Sequence, residues 1–305
     1  MRVLVTGGGG FLGLHLVERL GADGHDLVVA RQSEYDITSM DDTARMFNDA
    51  DAELVFHLAA EVGGIGANRA NPGRYWFANV AMGANVLEQA RQHSTPKLVI
   101  VGTVCSYPKF TSVPFREDEL WDGYPEETNA PYGIAKKAVL VGAQAYRAQY
   151  GLDSIFVLPA NLYGPGDNFH ETNAHVIADL IRKMTADVEE VVLWGDGSPT
   201  REFLYVEDCV DGLLLAAEHY DGPDPVNLGA AREISIRDLA ELIADVTGYE
   251  GEILWDRSMP NGQPRRSVDG TRAKELFGFE AQTPLREGIE RTVAWYRSAV
   301  AGVGT

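Results

Sequence analysis

Through the first half of the chain, short apolar runs alternate with stretches whose apolar residues recur with the helical period. The runs Val3–Thr6, Asp26–Ala30, Leu54–Leu58, Leu98–Val101 and Ser154–Leu158 are bounded by turn formers, and their continuity predicts strands buried on both faces. Between them, Phe11–Leu20, Pro72–His93 and Pro131–Tyr150 read as helices. Such alternation implies a parallel sheet with helices packed on it. After Asn161 the pattern loosens, and Leu-Tyr-Gly-Pro-Gly-Asp at Leu162–Asp167 predicts a sharp turn out of the sheet. Further on, a strand is expected at Val191–Trp194, with helices at Val206–Tyr220, Ile236–Val246 and Pro284–Ala299. No repeat or long linker separates the two regions, so they are expected to share an interface and enclose a cleft.

One strand end carries reactive groups. Lys97–Val101 runs into Gly-Thr-Val-Cys-Ser-Tyr-Pro-Lys at Gly102–Lys109. If the chain stays extended past the strand, alternation sends the Thr103 hydroxyl and the Cys105 thiol to the same side. Two such groups aimed at the carboxyl edge of a parallel sheet make a poor core and a good site.

The first strand leads directly into Gly7-Gly8-Gly9-Gly10-Phe11-Leu12-Gly13 and then a helix. Glycines at Gly7, Gly10 and Gly13 let backbone approach a pyrophosphate, and the helix N-terminus offers it unpaired N–H donors. The fold class follows: α/β, a Rossmann-type doubly wound parallel sheet with a smaller C-terminal α/β substrate-binding domain. The dinucleotide-binding part is expected over residues 1–162, with residues 203–230 returning to it, and the substrate part mainly over 163–305. The second strand ends Val28-Val29-Ala30-Arg31, and the first acid beyond it is Glu34. An arginine there accommodates a ribose 2′-phosphate, which favours NADP(H) and leaves NAD(H) open.

Composition narrows the partners. A formal net charge of −19 argues against nucleic acid and against anionic membrane surfaces, which both demand a basic face. It does not exclude a small anionic ligand, which a few arginines and backbone N–H groups can hold. No apolar run reaches the length of a membrane span, and Met1 leads into a strand with no cleavable signal, so a cytoplasmic location is expected. The two cysteines, Cys105 and Cys209, are expected to be free thiols, and no metal site is expected. Cys209 falls on an apolar helical stripe with Val206, Val210, Leu213, Leu214 and Ala217, and reads as core.

Pro131-Tyr132-Gly133-Ile134-Ala135-Lys136 places Tyr132 and Lys136 one helical turn apart. A neighbouring ammonium stabilises a phenolate, so Lys136 is expected to lower the pKa of Tyr132 and fit it for proton transfer to a carbonyl or alcohol oxygen held by Thr103. The pair alone would be an ordinary helix face. Joined to the glycine loop and Thr103, it resembles the short-chain dehydrogenase/reductase superfamily in its extended, sugar-nucleotide-modifying branch, over nearly the whole chain.

Further blocks resemble the GDP-L-fucose synthase family within that branch. They are Ala59-Ala60-Glu61-Val62-Gly63-Gly64-Ile65, Cys105–Lys109, Asn161–Pro165, Asp167-Asn168-Phe169, His175-Val176-Ile177, Trp194–Gly197 and Arg201–Leu204. Glu61 stands where that family commonly has lysine, and Thr103-Val104 replaces a pair of serines. The resemblance implies a homodimer that epimerises C3 and C5 of a GDP-linked 4-keto-6-deoxymannose and reduces C4 with NADPH. It implies catalytic roles for Thr103, Cys105 (base), Tyr132, Lys136 and His175 (acid). It also implies a cofactor site of Gly7, Gly10, Phe11, Leu12, Gly13, Arg31, Ala59, Lys136, Pro159, Leu162 and His175. Arg201 and Arg266 are candidates for the substrate diphosphate, because a guanidinium can bind two phosphate oxygens at once. Asn161, Lys183, Trp194 and Asn261 resemble positions that contact sugar and nucleotide. Two other readings stay open: a 4-ketosugar reductase or epimerase acting on another nucleotide sugar, such as a modified heptose, and a catalytically silent dinucleotide-binding redox sensor.

Overall fold

The computed structural model describes residues 1–63, 65–171, 174–186, 188–259 and 261–303. Gly64 of the Ala59–Ile65 block therefore lies outside the described residues. In chain order the first half runs β1 (Arg2–Thr6), α1 (Phe11–Ala22), β2 (Asp26–Ala30), α2 (Met40–Ala50), β3 (Leu54–His57), α3 (Ile65–Ala70), α4 (Pro72–Gln92), β4 (Lys97–Val101), α5 (Ala130–Tyr150) and β5 (Ser154–Pro159). It continues with β6 (Asn161–Tyr163), α6 (Val176–Met184), β7 (Glu190–Trp194), β8 (Thr200–Tyr205), α7 (Val206–His219), β9 (Val226–Leu228), β10 (Glu233–Ser235), α8 (Ile236–Thr247), β11 (Glu252–Asp256), β12 (Arg265–Arg266), α9 (Thr271–Phe277) and α10 (Leu285–Val303).

A six-stranded parallel sheet in the order β2-β1-β3-β4-β5-β9 forms the floor of the molecule. Except for the edge strand β2, its strands are buried almost end to end because helices cover both faces, which is why they read as unbroken apolar runs. The α4–α5 pair packs so closely that a Cβ on Gly83 would stand 2.3 Å from the Val139 side chain. The sixth strand, β9, arrives after α7, whose Cys209 is fully buried in the core of this sheet.

The remaining strands are short. β8 pairs with β6, β10 and β12, and β7 pairs with β11. Asn161–Tyr163 is thus a strand of the second sheet, and the turn expected to begin at Leu162 begins at Gly164, with Gly164 and Gly166 both at positive φ. A second core, including Ile177, Ile181, Leu193, Phe203, Leu239 and Ile243, fills the space beneath α6, α8 and α10. Glu202 of β8 is fully buried and accepts backbone N–H bonds from Ala230 (2.5 Å), Ala231 (2.8 Å) and Val268 (2.7 Å). That carboxylate ties the second sheet to the chain leaving β9.

Candidate active site

The carboxyl ends of the parallel strands gather the first group of side chains. Gly7 sits at φ +73°, and a Cβ there would meet the Ala59 nitrogen at 2.7 Å. A Cβ on Gly13 would stand 2.2 Å from the Gly7 carbonyl, so helix and loop can touch only through glycine. Gly10 caps α1 with no side chain, leaving the first-turn N–H groups, among them those of Phe11 and Leu12, facing outward. A cleft of about 510 Å³ opens over this loop, lined by Gly7, Gly10, Arg31, Tyr35, Ala59 and Glu61 among others. Close backbone, an uncapped helix terminus and a cleft of this size fit a dinucleotide. Arg31 is exposed on its rim. Glu61 is engaged by Arg74 through two bonds, of 2.7 and 2.9 Å.

Past β4 the chain does not stay extended, which corrects the expectation for Thr103 and Cys105. Thr103 closes the strand and its Oγ1 accepts the Cys105 N–H at 3.2 Å, winding Val104–Ser106 into a single 3₁₀ turn. Both side chains still act on the Tyr132 phenol: Thr103 favours its charged form, and the half-buried Cys105 thiol lies close enough to raise its pKa. The turn is pressed against α5, where a Cβ on Gly133 would stand 2.4 Å from the Cys105 carbonyl, and Ser106 Oγ donates to the Gly133 carbonyl at 3.0 Å. Tyr107 anchors the block from beneath, its hydroxyl donating to Asn227 at 2.8 Å.

Lys136 is buried and its Nζ donates to the Val101 carbonyl at 3.0 Å. Burial lowers its pKa to about 8. Tyr132 moves the other way: burial raises its pKa above the ordinary phenol value, the Cys105 thiol adds to the rise, and only the Thr103 bond opposes it. The expectation that Lys136 lowers the phenol is therefore corrected: burial dominates at Tyr132, and the Lys136 ammonium is bonded to the Val101 carbonyl. His57, at the end of β3, bonds Thr6 Oγ1 at 2.8 Å, and burial together with Lys136 holds its pKa down to about 3. Sequence reading passed over His57 because it sits inside an apolar run.

A second group surrounds a cavity of about 280 Å³ lined by Asn161, Leu162, His175, Val176, Ile177, Arg201, Phe203 and Ile236. His175 caps α6 and its Nδ1 lies 3.2 Å from Asp167 Oδ1, and this hydrogen bond raises the imidazole pKa. Asn161 Nδ2 donates to the Glu202 carbonyl at 2.9 Å. Arg201 and Arg266 are register partners on β8 and β12, and neither forms an ion pair among the described residues. Burial first, then Arg266, lowers the Arg201 pKa to about 10. Arg201 donates to the Thr200 carbonyl and Arg266 to Gln263 Oε1, so two adjacent guanidinium groups keep donors that a bound anion can accept from.

The other candidates line neither cavity. Lys183 is held by Asp179 at 2.7 Å. Trp194 is 66% exposed at the end of β7. Asn261 Oδ1 accepts the Asp196 N–H at 2.9 Å and so braces the Trp194–Gly197 loop. Pro159 ends β5 in register with Leu228. A further concavity, of about 1120 Å³, is lined by Met1, Leu54, Lys97 and Asp153 at the opposite, amino edge of the sheet.

Residues 3–229 match the NAD dependent epimerase/dehydratase family. The chain belongs to that family. Over 301 residues it is 40% identical to the probable GDP-L-fucose synthase 1 of Oryza sativa subsp. japonica, covering 97% of this chain and 92% of the relative. Among solved structures, a GDP-6-OMe-4-keto-L-xylo-heptose reductase from C. jejuni superposes with a TM-score of 0.92 at 25% identity, covering 97% of each chain. A GDP-L-fucose synthetase from Naegleria fowleri bound to NADP gives 0.90 at 26% identity, covering 98% of this chain and 94% of that one. This epimerase/dehydratase family member is an NAD(P)-dependent enzyme acting on a nucleotide sugar. Among its described residues, no helix is long and apolar enough to cross a membrane, and no cluster of His, Cys, Asp and Glu could hold a metal ion.

Proposed function

We propose that this enzyme converts GDP-4-keto-6-deoxy-D-mannose to GDP-L-fucose, epimerising C3 and C5 and reducing C4 at the expense of NADPH. The observation that carries the reading is that Cys105 and Thr103 both act on Tyr132, since ketone reduction alone has no use for the thiol. A C4 ketone acidifies the hydrogens on C3 and C5, so one base and one acid invert both centres through enolates. Cys105 takes the proton, and His175, whose pKa Asp167 raises, returns one to the other face. The glycine loop would hold NADPH, with Arg31 available to its 2′-phosphate, and the bound cofactor would supply hydride to C4. Tyr132 is kept protonated by burial, which suits it to give its proton to the resulting alkoxide. Thr103 holds that oxygen, and Arg201 with Arg266 receives the diphosphate. A cytoplasmic homodimer completes the reading.

The test is turnover in deuterated water with GDP-4-keto-6-deoxymannose and NADPH. Absorbance at the nicotinamide band should fall while isotope enters C3 and C5; no consumption with either nicotinamide cofactor defeats the proposal. The likeness to the C. jejuni heptose reductase favours a second reading, a 4-keto reductase for a GDP-heptose. Product analysis across GDP, dTDP, UDP and CDP ketosugars separates the two.

A further inference from the structure

We propose that Asp167 is the positioning residue for His175: its buried carboxylate fixes the proton on Nδ1, so that Nε2 is the ring atom that exchanges protons with substrate. This deepens the proposed function and rests on His175 being its acid.

The two side chains are unequal in exposure, with 2% of Asp167 and 61% of His175 open to solvent. Oδ1 of Asp167 accepts the Asn168 N–H at 2.7 Å and faces His175 Nδ1 at 3.2 Å, whereas Oδ2 is buried and has no hydrogen-bond partner among the described residues. A carboxylate oxygen left unpaired in the interior is costly, and a turn-forming role would be met by Oδ1 alone. The negative charge is therefore retained for something beyond the turn. His175 supplies the reason, because it sits at the N-cap of α6, where the helix dipole disfavours an imidazolium. Asp167 reverses that bias.

The loop that carries Asp167 is fixed from both sides. His15 Nε2 meets the Pro165 carbonyl at 2.7 Å, and Phe169 stacks on Tyr296 with ring centroids 4.4 Å apart. Other charges around His175 are spoken for or lie across the cavity. Arg201 of β8 shares the cavity, Asp179 on α6 is bound by Arg182 (2.6 Å) and Lys183 (2.7 Å), and Arg237 of α8 donates to the Asp196 carbonyl.

The deciding experiment is an NMR titration of the His175 imidazole in the full-length protein, comparing wild type with Asp167→Asn. The midpoint should fall in the variant, with the Nδ1–H tautomer losing its preference; an unchanged midpoint overturns the proposal. Asp167→Glu, which restores the charge, should recover most of the wild-type midpoint, and failure to recover would mark the residue as merely structural. NADPH binding by each variant reports whether it is folded, and Asp167→Ser replaces Asp167→Asn should the latter fail to bind. In turnover, isotope exchange at pH 7 should drop at least roughly 10-fold in Asp167→Asn, part of the 10²–10⁴ that a positioned acid contributes. If wild type turns over no ketosugar, the functional reading fails while the titration still decides the pair.

Discussion

The parallel-sheet floor and the C-terminal cover treat ionisable groups in opposite ways. In the floor, Tyr132, Lys136 and His57 are buried, and burial drives each toward its neutral form. In the cover, Asp167 raises the pKa of a largely exposed His175, and Arg201 stands beside Arg266 with no acid to pair it. Arg201 remains charged despite burial, since a pKa of about 10 is far above neutrality. The contrast teaches a division of labour: the floor uses burial to press its groups toward their neutral forms, while the cover presents fixed charge to an anionic substrate.

The sharpest way to break the division is Tyr132→Phe. Removing the phenol should cut NADPH oxidation by about 10²–10⁴, the usual contribution of a positioned proton donor, while exchange of deuterium into C3 and C5 continues. Cys105→Ser should do the reverse and abolish exchange first. If both variants lost both half-reactions equally, reduction and epimerisation would not be separable within the floor.

Next in size is the stability stored against Lys136. Its folded pKa of about 8 lies below the ordinary 10.5, so the unfolded chain holds the proton more tightly. The penalty is fully present below pH ~8 and is relieved as pH rises from there toward ~10.5, amounting to about 3 kcal/mol. Lys136→Met should therefore stabilise the protein at pH 7 by about 2 kcal/mol, after roughly 1 kcal/mol is lost with the bond to Val101, and should inactivate it. Urea unfolding at pH 7 and pH 9.5 checks this: the variant's advantage must shrink at the higher pH.

Arg201→Ala tests the cover. Losing one charge-assisted bond to the diphosphate costs about 1.5–3 kcal/mol, or roughly 10- to 100-fold in KM for the nucleotide sugar, with little change for NADPH. Equal losses for sugar and cofactor would show that Arg201 supports the fold instead.

What was readable in the chain follows the same boundary. The floor announced itself because strands buried on both faces are continuous apolar runs, and because Gly7 and Gly13 occupy contacts that no side chain fits. The cover hid its strands: β8 begins Thr-Arg-Glu, and nothing in sequence says that Glu202 is fully buried against three backbone N–H groups. β12 is two residues long and β9 and β10 three, too short for any period to show. Thr103 and Cys105 were rightly grouped for the wrong reason, since a side-chain bond from Thr103 bends the strand end that alternation assumed straight. Asp167 looked like one more polar residue of a turn, and its buried, unpaired Oδ2 belongs to tertiary structure alone.

The smallest expected effect concerns the cofactor rim, where floor chemistry gives way to exposed charge. Charges of both signs line the cleft, Arg31 against Asp36 and Glu61, and a free carboxylate at Glu61 would oppose a 2′-phosphate. Arg74 takes that charge through its two bonds, so Arg31 is left to set the preference. At an exposed site one such contact is worth about 1 kcal/mol. Arg31→Ala should thus lower the NADPH-over-NADH ratio of kcat/KM by roughly 5-fold, with NADH values nearly unchanged. Arg74→Ala should instead weaken NADPH more than NADH by freeing Glu61, and to a greater extent at low salt, where the exposed carboxylate is least screened. A ratio unmoved by Arg31→Ala would assign the 2′-phosphate to another part of the cleft and leave the rim outside the division between floor and cover.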